Sequence, residues 1–330
     1  MNSTKAKKLS LIIGITTLVL GALMKISHIL YGTEILVIGI LIVGFRFIFP
    51  LFSNKNNHLA TDSPAVTYPN IAQSFGVTGI VVLGMLLLSP VNLLLNNMIG
   101  KEASVLIYYL LAIGIPFWIV YSIRKNKTTD SSFNITIENK RVIPFLIAGT
   151  IALLLGIVSP LGNLIPMSES IKKAFMDFGG QTGIFAFLLM VVAAPILEEL
   201  IFRGIILDGL LKKYSPEKSI LISSLLFGLV HLNPWQFVTG LVIGIFSGWV
   251  YCRTRSLALS IIIHASANLT GFLLRFFIDM DTAMDDNLVE MYGGLINLVL
   301  AIVGAIIIVS VCVYFLNKEF GKQKAEMAVQ

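Results

Sequence analysis

The sequence predicts an all-α fold, a polytopic transmembrane helical bundle of about ten spans with one short or re-entrant helix. Three observations carry that prediction. The 330 residues are 56% hydrophobic and 13% charged, against about 45–50% apolar and ~25% charged in soluble domains. Apolar runs recur from Leu9 to Leu316, and a hydrocarbon core of about 30 Å takes roughly 20 such residues per helix. The net charge of +6 sits at the ends of those runs rather than on one amphipathic face. Such a distribution is a topology signal and excludes a nucleic-acid surface.

Taken in order, the runs predict helices over residues 9–24, 33–52, 76–95, 104–123, 142–165, 183–202, 219–232, 236–251, 257–278 and 293–316. Lys5, Lys7 and Lys8 precede the first run like the start of a signal peptide, but no small-x-small cleavage site follows Met24. The run reads as a retained helix, with a cleaved signal as the alternative. The seventh run is too short to cross alone at about 1.5 Å per residue. It stops at mid-membrane or re-enters, which requires burial in protein. Polar stretches at 53–73 and 124–141 punctuate the chain. They divide it into an N-terminal hairpin with its linker (1–72), a second hairpin with a cytoplasmic loop (73–141), a core (142–278), and an acidic external loop, last helix and basic tail (279–330).

Cytoplasmic loops are enriched in Lys and Arg. If the spans alternate, Lys5, Lys55, Arg124, Lys125, Lys140, Lys212, Lys213, Arg253, Arg255, Lys318 and Lys322 fall on one side. Asp279, Asp281, Asp285, Asp286 and Glu290 fall on the other. The expectation is a multi-pass protein of the plasma membrane with both termini cytoplasmic. Cys252 and Cys312 lie in or at the end of apolar spans and form no disulfide framework. Gly240, Gly244 and Gly248 make a small-residue stripe for close helix approach. Trp235 and Trp249 read as interfacial anchors, and Asp208 as solvated surface.

An ionisable group inside an apolar span is costly, so each is a functional candidate. The sixth span ends Pro195-Ile196-Leu197-Glu198-Glu199-Leu200-Ile201-Phe202-Arg203. Glu199 and Arg203 are four apart and can pair on one helix face, whereas Glu198 is turned about 100° away. Of the four histidines, His231 and His264 lie within spans. His264 and Asn268 share a face at i,i+4. Counted from the cytoplasmic ends, His264 lies roughly 10 Å deep, Glu198 shallower and His231 about 18 Å deep. Tilting or breaking the short seventh helix would bring them level.

Glu198-Glu199-x-x-x-Arg203, Phe227-x-x-x-His231 and His264-x-x-x-Asn268 resemble, in order and spacing, the three motifs of the CAAX protease and bacteriocin-processing (CPBP, or Abi) family, which includes the type II CAAX prenyl endopeptidases. The match covers roughly residues 142–278. The resemblance implies peptide-bond hydrolysis at the membrane, with Glu198 and His231 activating a water. It also implies Glu199 and Arg203 as an orienting pair, and His264 and Asn268 as oxyanion donors.

Glutamate and two histidines are also a plausible zinc set, with Glu198, His231 and His264 leaving a fourth position for water. No His-Glu-x-x-His helix is present, so the cofactor expectation is none or a divalent metal such as zinc. The expected partners are the lipid bilayer and a membrane-associated or lipidated peptide substrate, with no nucleic acid. Two other readings remain open on these residues: a non-catalytic membrane scaffold or bacteriocin-immunity factor, and an ion-coupled transporter.

Overall fold

A computed structural model describes residues 67–166, 180–277 and 288–327, together with 13–18 and positions 21, 39, 172, 173 and 176. The described residues are all-α. Eight longer helices are α1 (Ile71–Ile99), α2 (Lys101–Lys127), α3 (Lys140–Asn163), α4 (Ile184–Leu211), α5 (Pro216–Leu229), α6 (Pro234–Thr254), α7 (Leu257–Leu274) and α8 (Leu295–Met327). Seven of these, all but α5, are long and apolar enough to cross a membrane. With α5 as the short helix, eight of the expected runs are accounted for. The run at 33–52 falls almost wholly outside the described residues, as does most of the acidic loop, and of the run at 9–24 positions 13–18 and 21 are described.

Side chains explain where the helices begin. Asn70 caps α1 in a reciprocal pair with Gln73. Ser215 and Asn233 cap α5 and α6, each followed by a proline at the first helical position, where the missing N–H costs nothing. Between spans the chain turns tightly, through Gly100 after α1 (φ 81°) and through Arg255 after α6 (φ 56°). Thr78, Thr150, Ser224, Thr254 and Ser266 each return their hydroxyl to the carbonyl four residues back. These five hydroxyls are thereby satisfied inside the apolar layer.

The chain forms two compact units. One gathers Met1–Asn57, Pro144–Pro166 and Asp281–Gln330. Within it α8 packs on the latter part of α3, where a Cβ on Gly156 would come within 2.2 Å of the Ala305 side chain. Nearer the start of α3, Phe145 stacks on Phe315. The other unit gathers His58–Ile143 and Met167–Met280, so α1 and α2 share it with α4, α5, α6 and α7. Its core combines Val77, Val81, Ile113 and Val120 of the α1–α2 hairpin with Ile201, Phe202, Ile205 and Ile206 of α4 and Leu226 and Phe227 of α5.

α4 is the centre of this second unit. Every residue from Ile201 to Leu207 is buried, including Arg203. The helix is also irregular, with widened i→i+5 turns at Leu188–Ala193 and Leu200–Leu207 on either side of a regular segment, Ala194–Glu199. Such widened turns concentrate at functional sites, and here they flank the two glutamates. The glycine stripe of α6 lies against α5 and α4. A Cβ on Gly240 would sit 2.9 Å from Gly228 Cα, and one on Gly244 3.0 Å from Ser224 and 3.2 Å from Arg203 Nη2. Two sequence expectations fail in this unit. Trp249 is buried, stacked on Phe246 inside the bundle, and is no interfacial anchor. Asp208 is a half-buried ion-pair centre that joins Arg124, Lys212 and Arg255 at 3.0, 2.8 and 3.3 Å.

A candidate active site on the central helix

Glu198 and Glu199 are neighbours on α4 with different surroundings, because successive helical residues point about 100° apart. Glu199 is enclosed, with 1% of its side chain exposed, and Arg203 one turn later is fully buried. Arg203 Nη1 lies 3.0 Å from Glu199 Oε1 as an ion pair without the alignment of a hydrogen bond. Its Nη2 donates to the Gly244 carbonyl at 3.1 Å. That contact requires the bare backbone of a glycine on α6. Ser247 Oγ donates to Glu199 Oε2 at 3.1 Å, and His264 Nδ1 donates to Glu199 Oε1 at 3.2 Å. Glu199 thus ties α4 to α6 and α7.

Glu198 faces a more open region. Its Oε1 accepts a hydrogen bond from the Tyr109 hydroxyl on α2. Its Oε2 is buried and has no hydrogen-bond partner among the described residues. That oxygen lies 3.9 Å from His231 Nε2 and 3.8 Å from His264 Nε2. His231 reaches it because α5 stops at Leu229, and the chain turns through Leu232 (φ 53°) before α6 begins. The helix break removes the depth mismatch that an upright α5 would impose.

Both imidazoles are oriented through Nδ1. His231 Nδ1 donates to the Phe227 carbonyl at 2.8 Å, and His264 Nδ1 donates to the Glu199 carboxylate. In its neutral form each ring therefore presents the Nε2 lone pair toward Glu198 Oε2. The Phe227 ring is the common floor. Arg203 Cζ lies 4.6 Å from its centroid, and the His231 and His264 rings meet it edge-on at 5.2 and 5.3 Å. The Phe-x-x-x-His spacing thus places one residue as both platform and hydrogen-bond acceptor.

Asn268 is one turn along α7 from His264, and its Nδ2 donates to the Met190 carbonyl at 2.7 Å. The widened turn explains that bond. Ala194 N–H goes to Leu189 rather than to Met190, and Pro195 has no N–H to give. Met190 is left without its regular intrahelical donor, and Asn268 supplies one. One amide hydrogen of Asn268 remains available to another acceptor.

With both imidazoles neutral, Glu198 Oε2 and the two Nε2 atoms face one another as acceptors, an arrangement that a water or a cation would fill. A four-coordinate zinc with bonds of about 2.0–2.1 Å holds its nitrogen and oxygen ligands about 3.3–3.4 Å apart. The separations at Glu198 Oε2 are 3.9 and 3.8 Å, and among the described residues no three His, Cys, Asp or Glu side chains are grouped to hold a metal ion. As arranged, Glu198, His231 and His264 do not close a zinc ligand set.

The structure brings Glu198, Glu199, Arg203, His231 and His264 into one contact network and sets Asn268 beside it. Two members were not legible in the sequence. Tyr109 lies 89 residues before Glu198 and reads as an ordinary aromatic in an apolar helix. Ser247 lies beside the glycine stripe, and its one available signal was its place between Gly244 and Gly248.

Residues 180–270 match the family model described as Type II CAAX prenyl endopeptidase Rce1-like. The UPF0177 protein YxdF of Lactococcus lactis subsp. lactis is 36% identical over 81 residues, covering 24% of this chain and 44% of that protein. YdiL of Bacillus subtilis, provisionally named a membrane peptidase, is 35% identical over 77 residues, covering 23% of this chain and 32% of that protein. The chain therefore spans less than half the length of each of these relatives. No solved structure matches it. The segment that carries the three motifs is thus similar to the Rce1-like group of type II CAAX prenyl endopeptidases.

Proposed function

We propose that the protein is an intramembrane endopeptidase that hydrolyses a peptide bond of a membrane-associated or lipidated peptide, on the cytoplasmic side of the plasma membrane. The observation that carries this reading is the state of Glu198 Oε2, a buried carboxylate oxygen without a donor that faces two imidazole Nε2 atoms. A water placed about 2.8 Å from Glu198 Oε2 and from His231 Nε2, atoms 3.9 Å apart, would subtend about 90° between them. Its two O–H bonds then point at those two acceptors, and its lone pair is left for a carbonyl carbon.

In this route Glu198 takes the proton as the water attacks, and gives it to the departing amine. His231 holds the second O–H. Glu199 and Arg203 keep His264 in place. His264 and Asn268 face the oxyanion, Asn268 through its remaining amide hydrogen. His264 Nε2 can donate only from the doubly protonated ring, since Nδ1 already donates to Glu199. Every step is carried by residues of the chain.

The test is cleavage by purified protein in liposomes carrying membrane-tethered peptides, prenylated and unprenylated, with new termini read by mass spectrometry. Parent protein should cleave, Glu198→Gln and His231→Ala should not, and chelation should leave the parent rate unchanged. Retained cleavage by Glu198→Gln would sink the mechanism. Loss of cleavage on chelation, restored by zinc, would replace it with a metal-dependent one.

A further inference from the structure

The family-model match begins at residue 180, yet one oxygen of Glu198 is held by a helix that lies before it. α2 meets α4 at three places along its length. Near its start, Glu102 Oε1 accepts from the N–H of Gly183, the residue that caps α4, at 2.9 Å. Near its end, Arg124 donates to the Gly204 carbonyl and pairs with Asp208 at 3.0 Å. Between these anchors, Tyr109 donates to Glu198 Oε1. A tyrosine hydroxyl in an apolar span needs only some acceptor, and the preceding residue shows the ordinary solution. Tyr108 donates to the Met85 carbonyl on the hairpin partner α1, at 2.9 Å. Tyr109 instead takes the one carboxylate in the cluster that Arg203 and Ser247 leave alone.

We infer that Tyr109 is a positioning residue for Glu198, and that the α1–α2 hairpin completes the site which the matched segment leaves open. By engaging Oε1, the phenol fixes the rotation of the carboxylate, so that Oε2 is the oxygen turned to His231 and His264. The anchors at Glu102 and Arg124 hold α2 at the height where this bond can form. The kinetic consequence rests on the proteolytic reading of Glu198, whereas the orientation of its carboxylate does not.

The experiment uses the full chain in liposomes and the pair Tyr109→Phe and Tyr108→Phe. Each deletes one hydroxyl and keeps the ring. Infrared difference spectra, parent minus Glu198→Gln, isolate the carboxylate stretches of Glu198. These should shift in the Tyr109→Phe background and stay in place in Tyr108→Phe. On a membrane-tethered prenylated peptide, Tyr109→Phe should lower kcat by about 10–100-fold, the scale expected for a misplaced catalytic group, with KM and thermal stability held. Tyr108→Phe should change kcat less than about twofold, since its hydroxyl touches only backbone outside the site. An unmoved carboxylate band in Tyr109→Phe, or equal kinetic effects of the two variants, overturns the inference. If the parent itself does not cleave, the proteolytic reading fails, and the infrared bands still decide whether Tyr109 orients Glu198.

Discussion

Glu198→Gln and Glu199→Gln are equal in size and adjacent on one helix, yet the structure predicts opposite signatures. Glu199 is the carboxylate in ion-pair contact with a fully buried guanidinium, and it also accepts from Ser247 and His264. Neutralising it leaves Arg203 charged, buried and reduced to the Gly244 carbonyl. Removing one partner of such a pair costs about 3–5 kcal/mol, or a drop of roughly 6–20 °C in apparent Tm at about 2–4 °C per kcal/mol. Among the described residues Glu198 has no cation within 3.5 Å, and a glutamine keeps an oxygen for Tyr109. Its stability change should be within about 1 kcal/mol. Its loss as a base should lower turnover by about 10²–10⁴. Thermal unfolding in detergent, combined with cleavage per folded molecule, separates the two. A Glu198→Gln protein that melts as early as Glu199→Gln while its folded fraction still cleaves would refute the division of labour.

Three more outcomes follow from single contacts. Asn268→Ala removes the donor of the half-buried Met190 carbonyl and should cost about 1–3 kcal/mol, read as a lower Tm, together with a fall in kcat. Gly240→Ala would bring a Cβ within 2.9 Å of Gly228 Cα, which is backbone and cannot swing aside. It should destabilise the α5–α6 contact by about 1–3 kcal/mol, and an unchanged Tm would show that the two helices can separate freely. Asp208→Ala leaves the buried Arg124 without its carboxylate and should cost about 3–5 kcal/mol, visible as faster proteolysis of the 128–139 connection in intact liposomes.

The fold class and the motif residues were legible because both depend on spacing within one helix. The apolar runs gave the spans. The i,i+4 rule gave the Glu199–Arg203 pair and turned Glu198 away from it. Deficient length marked α5 as a helix that stops early, and that stop brings His231 to Glu198. What the sequence withheld depends on which helix lies beside which. Tyr109 and Ser247 carry no charge and sit in apolar or small-residue stretches, so nothing in their own helices signals that each meets a glutamate. Asp208 and Trp249 were misread for the same reason. Asp208 followed by Lys212 and Lys213 looks like a solvated helix end until Arg124 and Arg255 arrive from other helices. The widened turns of α4 were also hidden, because Pro195 signals a missing N–H but not the Asn268 amide that makes up for it.

Comparing the membrane peptidome of cells carrying the parent protein with that of cells carrying Glu198→Gln, at matched protein levels, tests the central claim most directly. Glu198-dependent hydrolysis predicts a set of new peptide termini at the cytoplasmic face that is present with the parent and absent with the variant. Identical peptidomes, alongside an unaltered cellular phenotype of Glu198→Gln, would contradict it and favour a bundle that binds without cutting.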